Sequence, residues 1–140
     1  MAKTYANNLS EWGAIPPGLP SGTLAGGKVR AHTAIVTLAG QASGDTIVLG
    51  RLPPGDAFLG GIITSSVSLG TSTLAIGDAA TAAKFRAAAV FTAVDTPTLF
   101  GKAAAVGVRQ TVDGELLATV GAAALPGAGT LAITFLVGNA

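Results

Sequence analysis

A chain of 140 residues fits a single domain. It contains no Cys and one His, which excludes disulfides, thiolate metal sites and His-rich metal centres. Charged residues make up 11% of the chain, against about 25% in an average domain. The net charge of +1 without a basic cluster argues against nucleic acid as a partner.

The shortage of charge predicts self-association. A folded chain of this size exposes roughly 6,500 Å², and it carries only eight Lys and Arg and seven Asp and Glu. A net charge near zero gives little protection against association. We therefore expect much of the surface to be covered by copies of the chain or by another protein.

The first 27 residues differ in composition from the rest and predict an extended arm. They contain three of the seven prolines, at positions 16, 17 and 20, together with several glycines. Proline fixes φ and removes a hydrogen-bond donor, which disfavours a packed helix or strand. The predicted organisation is an arm over residues 1–27 and a β-sandwich domain over residues 28–140.

The arm holds the only Tyr and the only Trp of the chain, Tyr5 and Trp12. Such an arm either lies on its own domain or reaches a neighbouring subunit, and the sequence leaves both open. Trp and Tyr are enriched among the residues that dominate interface energies. Tyr5, Trp12 and Ile15 are therefore the predicted partner-binding residues.

After residue 28 the hydrophobic period is two, which is typical of half-buried strands. Turn-forming residues divide the segment into seven or eight short strands, the spacing of an all-β sandwich or barrel. The clearest apolar sets are Leu59, Ile63, Val67 and Leu69; Leu74 and Ile76; Val106, Val108 and Val112; Leu116, Ala118 and Val120; and Leu131, Ile133, Phe135 and Val137.

One segment departs from this alternation. Residues 79–85 are rich in Ala and follow Asp78, whose carboxylate could cap the free amides of a first helical turn. We expect one or two helical turns here, and at most this one short helix in the chain.

The sequence Asp113-Gly114 predicts a hairpin between the strands on either side. A loop of three residues, or one that carries a bulge, would place Val112 opposite Leu116 and Val108 opposite Val120, joining the two apolar sets on one face. In this register Val108, Val120 and Phe135 point into the core. Arg109, Thr119 and Thr134 then point outward.

No catalytic or metal-binding pattern emerges. His32 is the only imidazole, it lies in a predicted strand, and no Gly-x-Ser-x-Gly motif is present. Most of the Asp residues fall at turns, where the side chain bonds the nearby backbone. We therefore expect no enzymatic activity, no cofactor and no metal ion.

Neither a signal sequence nor a membrane-spanning segment is predicted. Residues 1–10 lack an apolar stretch of the kind that secretion requires. No run approaches about 18 apolar residues. A membrane is therefore not an expected partner.

Two segments resemble small structural proteins of tailed bacteriophages. Residues 50–61, GRLPPGDAFLGG, are similar to their passage of strand, L-P-x-G, apolar residue and G-G. Residues 69–85, LGTSTLAIGDAATAAKF, look like their S/T-x-L-x-[IV]-G-[DT]-A-x-x-x-x-[KR]-[FY] segment. The strand-turn-strand pattern over residues 106–137 also fits, so the resemblance covers roughly residues 28–137.

The resemblance implies a capsid decoration, or cement, protein with a jelly-roll-like β-sandwich, often clustered as a homotrimer. Such a protein would bind the major capsid protein and its own copies on the capsid exterior, and would be in the host cytoplasm during assembly. Two alternatives stay open: another virion component, such as a tail, spike-base or head-fibre protein, and a carbohydrate-binding module. The few aromatic residues after residue 28, five Phe without Trp or Tyr, disfavour the carbohydrate-binding module.

Overall fold

The computed structural model describes residues 28–139, which form eight β-strands and no helix. The predicted arm lies outside these residues. In chain order the strands are β1 (Lys28–Thr37), β2 (Thr46–Leu52), β3 (Ala57–Ser65), β4 (Thr73–Gly77), β5 (Arg86–Val90), β6 (Thr98–Phe100), β7 (Gly114–Gly121) and β8 (Thr130–Asn139).

The strands form two four-stranded antiparallel sheets. Sheet A has the order β1-β8-β3-β6, and sheet B has the order β2-β7-β4-β5. The first strand thus pairs with the last, the second with the seventh, the third with the sixth and the fourth with the fifth. This nested pairing gives a jelly-roll-like sandwich, so the prediction of an all-β sandwich with eight strands is confirmed.

The core lies between the sheets and follows the predicted alternation in β7 and β8. In β8 the residues Leu131, Ile133, Phe135 and Val137 are buried, and the residues between them are only half-buried. In β7 buried residues likewise alternate with more exposed ones. Leu74 and Ile76, the pair predicted to share a face in β4, are also buried. The predicted residues of these two strands that are buried are Leu74, Ile76, Leu116, Ala118 and Val120, and Ala75 and Gly77 of β4 are buried as well.

In β3 the prediction is wrong for Leu59. This residue, predicted to share a face with Ile63, lies instead on the outer face of sheet A, because β3 has a bulge between Phe58 and Gly60.

Four phenylalanine rings meet between the two sheets. The ring centroids of Phe58 and Phe85 lie 4.4 Å apart, and those of Phe58 and Phe135 lie 6.0 Å apart. Phe100 packs against Phe135 edge-on at 5.8 Å. Its ring occupies the space beside Gly61, where a Cβ atom would lie 2.2 Å from Phe100 Cζ. The cluster joins β3, β6 and β8 of sheet A to the residue that precedes β5 of sheet B.

The predicted helical turn over residues 79–85 is wrong, because the segment consists of turns and bends. The Thr81 amide does donate to Asp78 Oδ1 at 2.7 Å, as in a capped helix. The Phe85 amide, however, donates to the Ile76 carbonyl at 2.9 Å and returns the chain to sheet B. Phe85 is then held in the aromatic cluster, so the loop ends before a helix can form.

The predicted hairpin around Asp113-Gly114 is also wrong. Residues 101–113 form a loop with one isolated bridge, between Arg109 and Ala57. The neighbours of β7 are β2 and β4, so Val120 lies opposite Leu74 rather than Val108. Both hydrogen-bonding edges of β7 are therefore already paired, and no edge is left for residues 106–112. Val108 and Val112 remain 47% and 68% exposed.

For the other residues of this prediction, the expected direction of the side chain, into the core or outward, is confirmed. Val120 and Phe135 are buried in the core. Thr119 and Thr134 are half-buried on the opposite faces of their strands, and Arg109 is exposed.

Substitution of Val120 by Asp should destabilise the sandwich severely. Val120 is 1% exposed, and an unpaired carboxylate buried there costs several kcal/mol, out of the roughly 5–15 kcal/mol that holds a typical domain folded. Thr119→Asp, on the outer face of the same strand, should cost less than about 1 kcal/mol. Thermal melts of the two variants check this. A greater loss for Thr119→Asp would contradict the assignment of faces in β7.

Candidate interaction surfaces

The predicted partner-binding residues Tyr5, Trp12 and Ile15 lie outside the described residues. The candidate surfaces are therefore those of the sandwich itself. Within residues 28–139 no helix is long and apolar enough to cross a membrane. No group of three His, Asp or Glu side chains in this range could hold a metal ion.

His32 connects the two sheets. It lies in β1, and its Nε2 is 2.9 Å from the Leu49 carbonyl oxygen of β2. Nε2 therefore donates to a backbone oxygen. Gly50 leaves room for the ring, because a Cβ atom at this position would lie 2.2 Å from Nε2. His32 thus has a structural contact at the corner where β1 meets β2.

Several charged residues form ion pairs with one another. Arg30 of β1 pairs with Asp56, which is buried in the loop before β3. At the edge of sheet B, Arg51 of β2 pairs with Asp113, and its Nη1 is 3.8 Å from Glu115 Oε1 of β7. Because these pairs connect neighbouring elements, they stabilise the arrangement of the sandwich. Asp56 and Asp113 pair with different arginines and do not form one acidic cluster.

Asp78 also has a local structural role, as expected of a turn aspartate. Its Oδ2 accepts from Lys84 Nζ at 3.1 Å. Partial burial pushes the pKa of Asp78 upward, but the Thr81 amide and the Lys84 ammonium outweigh this effect and lower the pKa below its ordinary value. The ionised carboxylate therefore holds the loop between β4 and β5 closed.

This lowered pKa predicts that the loop loses stability in acid. A carboxylate whose pKa is lower in the folded state adds stability above its unfolded pKa, and that stability is lost as the pH falls through the folded value. Asp78→Asn keeps an acceptor for Thr81 but loses the ion pair. We expect it to cost up to about 1 kcal/mol at pH 7. The cost should decrease as the pH falls below about 4 and vanish only at a pH below the lowered pKa of the folded state. Urea unfolding at pH 7 and at this lower pH measures it, and a cost that is the same at both would contradict the role of the carboxylate.

The outer face of sheet A carries no charged side chain among the described residues. Residues opposite each other in antiparallel strands project to the same side. One such row, Thr33, Thr134, Ile62 and Leu99, crosses all four strands. Its two threonine hydroxyls hydrogen-bond at 3.0 Å. We call this surface the neutral face. It consists of Val29, Ala31, Thr33, Ile35, Thr37, Leu59, Ile62, Thr64, Leu99, Thr130, Ala132, Thr134 and Leu136.

The neutral face is large and well exposed at its two edges. Ile35 in β1 is 66% exposed and Leu99 in β6 is 77% exposed. The strands of this face are ten, ten, nine and three residues long. At about 4.8 Å between strands and about 3.4 Å per residue they span about 500 Å². Five of the thirteen side chains are Thr, so the face is uncharged but only partly apolar. The outer face of sheet B differs, because it bears Arg51 and Glu115.

A groove lies at one end of the neutral face. It has a volume of about 390 Å³ and lies between Leu59, Leu136, Leu99 and Val106. Val106 contributes from the loop that the sequence predicts as a strand. The neutral face is not predicted by the sequence, because its residues come from four strands whose order in the sheet is not encoded locally.

Neither a family model nor a curated protein matches the chain. Its fold is similar to that of chains in three phage capsid structures. For the cyanophage Pam1 capsid asymmetric unit the TM-score is 0.65 at 21% identity, over 81% of this chain and 86% of that chain. For the capsid of Ralstonia phage GP4 the TM-score is 0.66 at 20% identity, over 81% of this chain and 86% of that chain.

A chain of the acid-stable capsid of Helicobacter pylori bacteriophage KHP30 is also similar. Its TM-score is 0.59 at 15% identity, over 79% of this chain and 86% of that chain. The jelly-roll-like sandwich of residues 28–139 is thus a fold that occurs in phage capsids.

Proposed function

We propose that the protein is a non-enzymatic structural component of a phage virion that decorates and stabilises the capsid. It binds the major capsid protein and its own copies, as a homotrimer, on the capsid exterior, and it is in the host cytoplasm during assembly. The neutral face carries this proposal, because about 500 Å² of charge-free sheet suits burial in an assembly. The fold shared with chains of phage capsids supports it.

The charges of the sandwich also support a structural role. Arg30 and Arg51 each pair with a carboxylate of a neighbouring element, and Lys84 pairs with Asp78 of its own loop. His32 bonds a backbone oxygen. These groups stabilise the sandwich and lie outside the neutral face. With a net charge of +1, we propose that the partners are proteins rather than nucleic acid or a membrane.

Binding to capsid shells tests this function. Shells assembled from the major capsid protein of the phage that encodes this chain are mixed with the purified protein and sedimented. The protein should sediment with the shells to a saturating ratio and should raise the temperature at which they open. Absence of both effects would overturn the proposal.

We further propose two units, an arm over residues 1–27 and the sandwich over residues 28–140, with Tyr5, Trp12 and Ile15 as the arm's partner-binding residues. Deletion of residues 1–15 should leave the sandwich folded, since it removes none of the eight strands. The deletion should weaken attachment to shells or self-association about tenfold or more.

Single substitutions in the arm sharpen this prediction. Trp12→Ala should cause most of the loss, whereas Asn8→Ala, a change of a small polar side chain in the same segment, should have little effect. Sedimentation with and without shells measures both interactions. A truncated protein that binds shells and itself as tightly as the intact chain would show that the arm is not the anchor.

A further inference from the structure

The neutral face requires an occupant without charge. Thirteen neutral side chains from four strands form it, and its most exposed members, Ile35 and Leu99, lie at opposite edges. A charged partner would lose its hydration against this surface without gaining an ion pair. An apolar or aromatic segment would instead bury about 25 cal/mol per Å² of apolar area.

The chain itself contains a segment of this character. Residues 1–27 include Tyr5, Trp12 and Ile15 and carry only two charged side chains, Lys3 and Glu11. The segment joins the sandwich at Lys28, the first residue of β1, which is an edge strand of sheet A. It therefore begins at the border of the neutral face.

The length of the segment lets it reach another copy. Residue 12 is separated from residue 28 by 16 peptide units, which can span at most about 50 Å. The longest strands of the sandwich, ten residues each, extend about 34 Å. Trp12 can thus reach beyond its own sandwich to the sheet of a neighbour.

We propose that residues 1–27 of one copy bind the neutral face of a neighbouring copy. This inference rests on the self-association in the proposed function. Rings of three subunits need a heterologous contact, in which one surface meets a different surface on the next copy. The segment and the neutral face form such a donor and acceptor pair. The groove beside Leu99 receives the Trp12 side chain, because aromatic anchors fill pockets at interfaces.

Fluorescence of Trp12 tests the proposal directly, because it is the only Trp in the chain. The full chain is studied without capsid shells, so the outcome is independent of shell binding. At high concentration the emission should lie at the short wavelengths of a buried indole, and sedimentation should give a trimer. On dilution the emission should shift to longer wavelengths as the trimer dissociates.

Substitutions in the neutral face provide the second readout. Ile35→Lys and Leu99→Lys place a charge on well-exposed positions, so the sandwich should stay folded by circular dichroism. Each should shift the emission to longer wavelengths and lower the fraction of trimer at least tenfold. Val48→Lys is the matched control, because Val48 is a β-branched residue of edge strand β2, 60% exposed, on the outer face of sheet B.

Three outcomes would overturn the proposal. The first is solvent-exposed emission from the trimer. The second is buried emission that is independent of concentration, which would place the segment on its own sandwich. The third is an equal response to Val48→Lys and to the substitutions in the neutral face.

Discussion

The alternation of side chains along each strand controls both the core and the surface of the sandwich. Each side chain that fills the core directs its neighbours in the strand to the outer face. Burial of Ile133 and Phe135 in β8 therefore fixes Thr134 on the outside. The residues paired in one row with Phe135 are His32, Gly61 and Phe100, and this row faces the core. The adjacent row, which contains Thr134, faces outward and forms part of the neutral face. One register thus determines both the aromatic cluster and the surface available to partners.

The distribution of charge follows the division between the sheets. Ion pairs join β1 to the loop before β3 and connect β2 with β7, and another closes the loop between β4 and β5. All of these ion pairs lie outside the neutral face. The few charges of the sandwich are therefore found on its other surfaces, and this one surface has none. Salt would screen the exposed pairs. It would not weaken contacts of the neutral face, because these depend on apolar burial.

The sequence predicts what depends on local pattern. Alternation identified the buried residues of β7 and β8 and two of those in β4, Leu74 and Ile76, since periodicity needs only neighbours in the chain. It misassigned residues 79–85 and 106–112, because the pairing of Ile76 with Arg86, and of β7 with β2 and β4, is set by contacts distant in sequence. The neutral face was missed for the same reason. Every second residue of β8 is uncharged and faces outward, which is the one indication of this face in the sequence. The extent of the neutral face could be seen only once the neighbouring strands were known.

The proposed function places this chain in a phage virion, so a reconstruction of the purified virions, at a resolution that shows side chains, would show whether the neutral face is an interface between copies. We predict an eight-stranded sandwich on the outside of the shell in groups of three, with each neutral face covered by residues 1–27 of a neighbouring copy. Virions without density for this chain would contradict the virion role. A neutral face open to solvent in the assembled particle would contradict its use as an interface.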